Sequence, residues 1–113
     1  YAVIEFISGN PNYKKFEDED VLLTIYNLSE IYWYAIREYS NKQADEIYEK
    51  YKVYVVDITD KVLKDAIKFR KENKKKNLSY ADCIGYIYAL KNKMKFLTGD
   101  RAFEGMKGVE FVR

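Results

Sequence analysis

Two short runs of apolar residues, VLLTI at 21–25 and VYVV at 53–56, restrict the fold of this chain most strongly. Neither run alternates apolar with polar residues, as is typical of strands buried on both faces of a parallel sheet. Each run precedes a segment whose apolar residues recur at three- and four-residue steps, the period of an amphipathic helix. This alternation predicts an α/β fold, a three-layer α/β/α sandwich with a mostly parallel central sheet.

The remaining elements follow from apolar periodicity, caps and chain breakers. Thr59 is predicted to cap the helix after the second strand, and Ser79 the helix that carries the sequence YADCIGYIYAL. We predict helices at 2–7, 27–40, 41–51, 59–73 and 79–92, a charged turn or brief helix at 13–20, and further short strands at 95–98 and 109–112. The predicted inner faces are Leu28, Ile31, Tyr32, Ala35, Ile36 and Tyr39 on one helix, and Val62, Leu63, Ala66, Ile67 and Phe69 on another.

Length and composition restrict the kind of protein. A chain of 113 residues with no internal repeat or long linker is expected to form a single domain over 1–113. One cysteine and no histidine exclude an intrachain disulfide, zinc sites of the Cys/His type and Ser-His-Asp catalysis. The net charge of +2 does not by itself predict a nucleic-acid partner. No apolar run approaches the ~18 residues of a membrane span, and we expect a cytoplasmic protein.

The sequence begins at Tyr1 without an initiator methionine, and YAVIEFISGNP is typical of the interior of a domain. We therefore expect the native protein to carry residues before this point.

Acidic residues follow the predicted strands. Glu30 lies one helical turn past the first strand, Asp57 follows the second directly, and Asp100 follows the strand at 95–98. Asp82 lies in the first turn of the helix that leads to that last strand. Ser79-x-x-Asp82 and Asn27-x-x-Glu30 also match the capping-box pattern, so each of these acids taken alone is explained by a cap.

Taken together, Glu30, Asp82 and Asp100 can meet, because sites in open α/β folds form beyond the carboxyl ends of the strands. Two unit charges ~4 Å apart repel by ~4 kcal/mol at an effective dielectric of ~20. Three carboxylates held together therefore need protons or a cation, and oxygen ligands favour Mg²⁺ or Mn²⁺. Phosphodiester hydrolysis is the reaction that such a centre most often serves.

At this point the chain resembles the PIN-domain family, especially its short VapC-type toxins. TIYNLSEI is similar to the strand-to-helix segment of the family, LSYADCIGYIYAL to its acid-bearing helix start, and FLTGDRAFEGMKGVEFV to its closing segment. The resemblance implies a metal-dependent endoribonuclease in which Glu30, Asp82 and Asp100 are catalytic acids and ligands of Mg²⁺ or Mn²⁺. It also implies RNA as substrate, an antitoxin protein as partner and a homodimer, with neither DNA nor a membrane as partner.

One feature departs from the family pattern. The family opens with a strand that ends in Asp followed by Thr or Ser, and that Asp is a central metal ligand. YAVIEFISGNP resembles the stretch just after it, so the first strand and its acid are missing from this sequence. A complete site is expected only if the native chain supplies them.

Several residues beside the acids are candidates for contacting RNA. Lys74, Lys75 and Lys76 precede the Asp82 helix, and a basic loop there suits a phosphate backbone, although in a lysine-rich chain a solvated loop is the simpler explanation. Arg101 could hold a phosphate or pair with a neighbouring acid, and Thr98 lies near it. Consecutive aromatic residues in IYWYAIREY cannot all face one core, which is consistent with a dimer or antitoxin contact.

Two other functions remain open. A non-catalytic PIN-like module that binds RNA or a protein would fit a chain without the first Asp. A phosphoacceptor domain of the receiver type is suggested by Asp57 after VYVV. A receiver needs an acidic pair after its first strand and a lysine after its last, and neither is visible here.

Overall fold

The computed structural model describes residues 2–16 and 21–113. Within them five α-helices precede two short strands, and the predicted positions of the helices are confirmed to within about two residues at their ends. The α-helices are α1 Ala2–Ser8, α2 Ile25–Glu38, α3 Asn41–Lys52, α4 Asp60–Glu72 and α5 Tyr80–Lys91, and the strands are β1 Phe96–Thr98 and β2 Val109–Phe111. Three 3₁₀ helices cover Pro11–Phe16, Lys74–Lys76 and Arg101–Phe103. The charged segment predicted at 13–20 is helical to Phe16, and its residues 17–20 lie outside the described part.

The strands pair in parallel, as the α/β prediction requires. β1 and β2 form a two-stranded sheet in which Phe96 pairs with Val109 and Thr98 with Phe111. The two apolar runs make a single parallel bridge between Leu23 and Val55. The fold class is therefore confirmed, and the sheet is smaller than the sequence predicted.

The strand segments in the two apolar runs are shorter than predicted, because the neighbouring helix and turn include the ends of these runs. Thr24 caps α2, so Ile25 already belongs to the helix. Val53 and Tyr54 form the turn that follows α3 and are 77% and 41% exposed. The prediction that 53–56 is buried on both faces is therefore wrong at its first two residues.

The buried apolar residues form two separate cores. The larger joins α4 and α5 to the C-terminal segment, and the smaller joins α1 and α2 to the Leu23–Val55 bridge. Tyr86 packs against Phe69, Phe96 and Phe103 with ring centroids 5.2–5.7 Å apart. Buried members of the larger core are Ala66, Leu78, Cys83, Ile84, Tyr86 and Phe103, and those of the smaller are Val3, Leu23 and Ile31.

Two residues leave their predicted inner faces. Ile67 is 42% exposed because α4 is covered along the face of Val62 and Ala66, and Ile67 lies beside that face. Tyr39 is 37% exposed because it is the C-cap of α2, where the extended backbone directs it away from the helical face. Burial of the other inner-face residues ranges from partial to complete.

Helix starts are set by hydroxyl caps. The predicted caps Thr59 and Ser79 are confirmed, since their hydroxyl groups accept the backbone N–H groups of Val62 and Asp82. The predicted start at Asn27 is wrong. Thr24 is the N-cap of α2, and Asn27 is the third residue of the helix.

Among the described helices, none combines the length and the apolar character needed to cross a membrane.

Candidate carboxylate site

Asn27 joins the starts of α2 and α5. Its Oδ1 accepts the N–H and the hydroxyl of Thr24, both at 2.9 Å, and completes a capping box at the start of α2. Its Nδ2 donates to the carbonyl oxygen of Ala81 at 3.2 Å, in the first turn of α5. This bridge fixes the helix that carries Glu30 next to the helix that carries Asp82. The capping part of this role was not predicted, although Thr-x-x-Asn before an apolar run is a capping signal.

Asp82 is the most buried of the three predicted acids, with 8% of its surface exposed. Its backbone N–H donates to the Ser79 hydroxyl at 3.0 Å, so the predicted cap holds the helix start. Burial raises the pKa of the Asp82 carboxyl, and the nearby charge of Asp100 raises it further, while a hydrogen bond with Ser79 acts in the opposite direction. Asp82 therefore lies at a helix start and also in the field of a second acid.

Asp100 is held by its own turn. Its N–H donates to the Thr98 hydroxyl at 3.1 Å, and its Oδ1 accepts the N–H of Ala102 at 2.9 Å as the cap of the following 3₁₀ helix. Thr98 has no exposed surface. Thr98 was predicted to contact the substrate, but its buried hydroxyl instead accepts the hydrogen bond that positions Asp100.

Glu30 is the third predicted acid. It is half-buried, and burial raises the pKa of its carboxyl, with the charge of Asp82 as the next cause. Asp82 thus acts electrostatically on Glu30, and Asp100 acts on Asp82. That all three acids meet at one edge of the molecule, where sites form in α/β folds, stays a prediction.

The chemistry of these donors fits a hard divalent cation. Carboxylate oxygens are the ligands that Mg²⁺ and Mn²⁺ prefer, and a cation would relieve the repulsion that raises the pKa values of Glu30 and Asp82. Within residues 2–16 and 21–113, however, no three acidic side chains are close enough to form a metal-binding group. The acids thus interact electrostatically in pairs. A complete set of metal ligands would need a further oxygen donor besides the described residues.

A groove of about 340 Å³ is lined in part by Glu30, one of the three predicted acids. Residues 21–24, residues 94–97 and Asn27 are also part of its wall. β1 bonds to β2 through Phe96 and Thr98, so the N–H and C=O of Leu97 point away from β2, toward the groove. Leu23 likewise uses its N–H and C=O for Tyr54 and Val56, on the side of Val55. The unpaired side of β1, at Leu97, therefore faces a groove that the segment of Leu23 also lines, with its own paired side turned toward Val55.

The turn formed by Lys74–Lys76 contacts the segment that follows Asp100. Lys76 donates from Nζ to the carbonyl oxygen of Ala102 at 3.3 Å, which attaches the Lys74–Lys76 turn to the turn that Asp100 caps. Lys74, Lys75 and Arg101 are exposed. Arg101 makes no ion pair with a described residue, so its guanidinium is free to meet an anion.

The aromatic residues of α2 divide between the interior and the surface, as the sequence predicted. Trp33 is 59% exposed, with the Arg37 guanidinium 5.9 Å from its ring centroid. Tyr32 donates a 2.6 Å hydrogen bond to Asp45 on α3. Leu22, Ile25 and Tyr26 are also exposed near the start of α2, so an apolar surface lies next to the groove.

Cys83 follows Asp82 but takes no part in the site. Burial raises the pKa of its thiol to about 11, and the side chain packs in the larger core. The prediction of a small buried hydrophobic residue is confirmed.

Comparison with known proteins identifies the class. A family model for the PIN domain matches residues 2–109, which is nearly the whole chain, while no curated protein and no solved structure matches. The chain belongs to the PIN-domain family. PIN domains are generally nucleases and typically use divalent metal ions.

Proposed function

We propose that this protein is a metal-dependent endoribonuclease that hydrolyses RNA phosphodiesters at the edge formed by Glu30, Asp82 and Asp100. The observation that carries the proposal is the buried carboxylate of Asp82, whose pKa burial and the charge of Asp100 raise, and whose own charge raises the pKa of Glu30. Burial of such a charge is unfavourable unless a proton or a cation compensates it. Perturbed acids at a concave edge are typical of functional sites.

Each residue has a distinct part in this proposal. Glu30, Asp82 and Asp100 would hold Mg²⁺ or Mn²⁺, which when bound supplies an activated water and positive charge for the phosphate. Thr98 and Ser79 set the positions of Asp100 and Asp82 through the hydrogen bonds described above. Arg101 and the exposed lysines of the Lys74–Lys76 turn would hold the RNA backbone beside the acids.

The remaining ligand is proposed to come from the first strand that the family resemblance implies. A strand lying in the groove could bond to Leu97 on one side and to the edge at Leu22 on the other. The groove is lined mainly by apolar side chains, which suits a strand buried on both faces. An Asp at its carboxyl end would lie near Glu30 and supply the donor that the described residues lack.

The finer biological role follows from the VapC resemblance. We propose a cytoplasmic toxin of a toxin–antitoxin pair that forms a homodimer. The exposed apolar side chains at the start of α2 and Trp33 support a protein contact there.

The function is tested by RNA cleavage with the full native chain and added Mn²⁺. Glu30→Gln is expected to lower the cleavage rate at least ~100-fold, because it removes a charged ligand and keeps the side-chain shape. Glu72→Gln, an exposed acid at the end of α4, is the matched control and should cleave normally. Equal rates for all three proteins, or no cleavage by the wild type, would contradict the proposal.

A non-catalytic PIN-like module is the second candidate. It is favoured by the lack of a closed three-acid group among the described residues. RNA binding without Mn²⁺-dependent cleavage by the full native chain would support this candidate.

A further inference from the structure

Tyr80 presents an aromatic ring to solvent two residues before Asp82. It is the first residue of α5 and is 56% exposed. The Arg70 guanidinium lies over its ring at 4.0 Å from the centroid, within the range of a cation–π contact. An aromatic side chain left open at a helix start is not required by the core, since the neighbouring Leu78, Ala81 and Cys83 already fill it.

Arg70 is held in this position by a separate bond. Its Nε donates to the carbonyl oxygen of Leu78 at 2.8 Å, which ties the end of α4 to the residue just before the Ser79 cap. The guanidinium plane is therefore fixed, and it supports one face of the Tyr80 ring. A ring held from one side, with more than half of the residue exposed, offers a surface on which a second flat group can stack.

The position of Tyr80 relative to the acids is set by helix geometry. Residues two apart on a helix point in nearly opposite directions, so Tyr80 and Asp82 flank the first turn of α5. The width of a helix with its side chains, about 10 Å, separates two such positions. The Lys74–Lys76 turn precedes Tyr80 by a few residues and contacts Ala102 near Asp100. This basic turn is therefore close to Tyr80 along the chain and is attached to the segment that follows Asp100.

We propose that Tyr80 and Arg70 form a nucleobase-binding subsite, in which an unpaired base of single-stranded RNA stacks on the Tyr80 ring. Stacking of unpaired bases on aromatic side chains is a general mode of single-strand recognition, and it tolerates any base. The subsite holds the strand at one point while its backbone follows the lysine turn to the acids. This inference rests on the proposed function for the identity of the ligand.

The test measures binding of a short single-stranded RNA that carries 2-aminopurine, in EDTA so that no cleavage occurs. Stacking quenches the fluorescence of 2-aminopurine, so the titration reports both affinity and stacking. Tyr80→Ala is expected to weaken binding roughly 5- to 100-fold and to remove the quenching. Tyr80→Phe keeps the ring and should bind like the wild type.

Two further variants separate stacking from other effects. Tyr80→Leu keeps an apolar side chain without a π face and should lose affinity nearly as much as Tyr80→Ala. Tyr39→Ala removes another exposed tyrosine, at the far end of α2, and should bind normally. Thermal unfolding of each variant shows whether it is folded.

The outcomes distinguish this inference from the proposed nuclease function. Loss of affinity in the Ala and Leu variants, with retention in Phe, supports the subsite even if the wild type cleaves no RNA. Unchanged affinity and quenching in Tyr80→Ala overturn the subsite while leaving cleavage at the acids intact. Equal binding by Leu and Tyr, or no RNA binding by the wild type, also overturns it.

Discussion

Asp82 is the third residue of α5 and is 8% exposed, so its carboxylate bears a desolvation cost that an exposed residue at a helix start does not. The Ser79 hydroxyl already satisfies the N–H that a cap must satisfy. The charge of Asp82 is therefore not needed to begin the helix. What it adds is a buried negative charge that interacts with Asp100 and with Glu30. Such a charge is useful to a cation site and unfavourable without one.

The pH dependence of stability tests this reading. The folded-state pKa of Asp82 is raised, so its contribution to stability is present below the unfolded pKa and is lost as pH rises through the folded pKa. Asp82→Asn should therefore raise the Tm at pH 7 by a few degrees, where ~1 kcal/mol corresponds to ~4–8 °C. The difference from wild type should vanish in acid, below the ordinary pKa of a carboxyl. Thermal unfolding in metal-free buffer at several pH values measures it.

Asp65 provides a control, because its pKa is shifted in the direction opposite to that of Asp82. A hydrogen bond from Lys91 is the main cause that lowers the pKa of Asp65, so its contribution is present at neutral pH and is lost as pH falls through the folded pKa. Asp65→Asn should lower the Tm at pH 7. A lower Tm for Asp82→Asn as well would mean that Asp82 acts as a stabilising cap.

At the scale of elements, local signals predicted the helices and nonlocal pairing determined the strands. Thr59 and Ser79 were predictable as caps because the bond from the hydroxyl to the third helical N–H is set within four residues. The bond from Asn27 to Ala81 spans 54 residues and leaves no local pattern. The lengths of the strands likewise depend on partners elsewhere in the chain.

Gly108 provides a test of the packing between β2 and α5. Its φ is +76°, and a Cβ there would lie 2.9 Å from Cδ2 of Leu90. Gly105 has a similar φ of +84° with open space around it. Gly108→Ala should cost ~1 kcal/mol for the backbone plus a further penalty for displacing Leu90, so it should destabilise more than Gly105→Ala.

Denaturant unfolding of the two glycine variants measures this difference. Equal destabilisation would show that Leu90 moves freely and that the contact between α5 and the start of β2 is loose. A larger effect at Gly105 would contradict the described packing.

At the scale of the whole molecule, the acids could be predicted to meet because α/β topology brings strand ends and helix starts to one edge. In the structure the charge of Asp82 raises the pKa of Glu30 and that of Asp100 raises the pKa of Asp82, while no three acids of the described residues form a metal-binding group, so their meeting at one edge stays a prediction. The groove could not be predicted, since it depends on the distance between the Leu23 segment and β1, which no local sequence pattern encodes. The contact of the exposed Tyr80 ring with Arg70 could not be predicted either. Apolar periodicity predicts which residues are buried, and it says little about contacts across a loop.

We propose that Asp82 serves the chemistry of the site and Ser79 the start of α5. Mn²⁺-dependent RNA cleavage and Tm, measured on full-length Asp82→Asn and Ser79→Ala variants, separate these two roles. We expect Asp82→Asn to lose cleavage at least ~100-fold without losing stability, and Ser79→Ala to lose ~1 kcal/mol of stability while still cleaving RNA. Cleavage by Asp82→Asn at the wild-type rate, together with a lowered Tm, would show that Asp82 is only a cap.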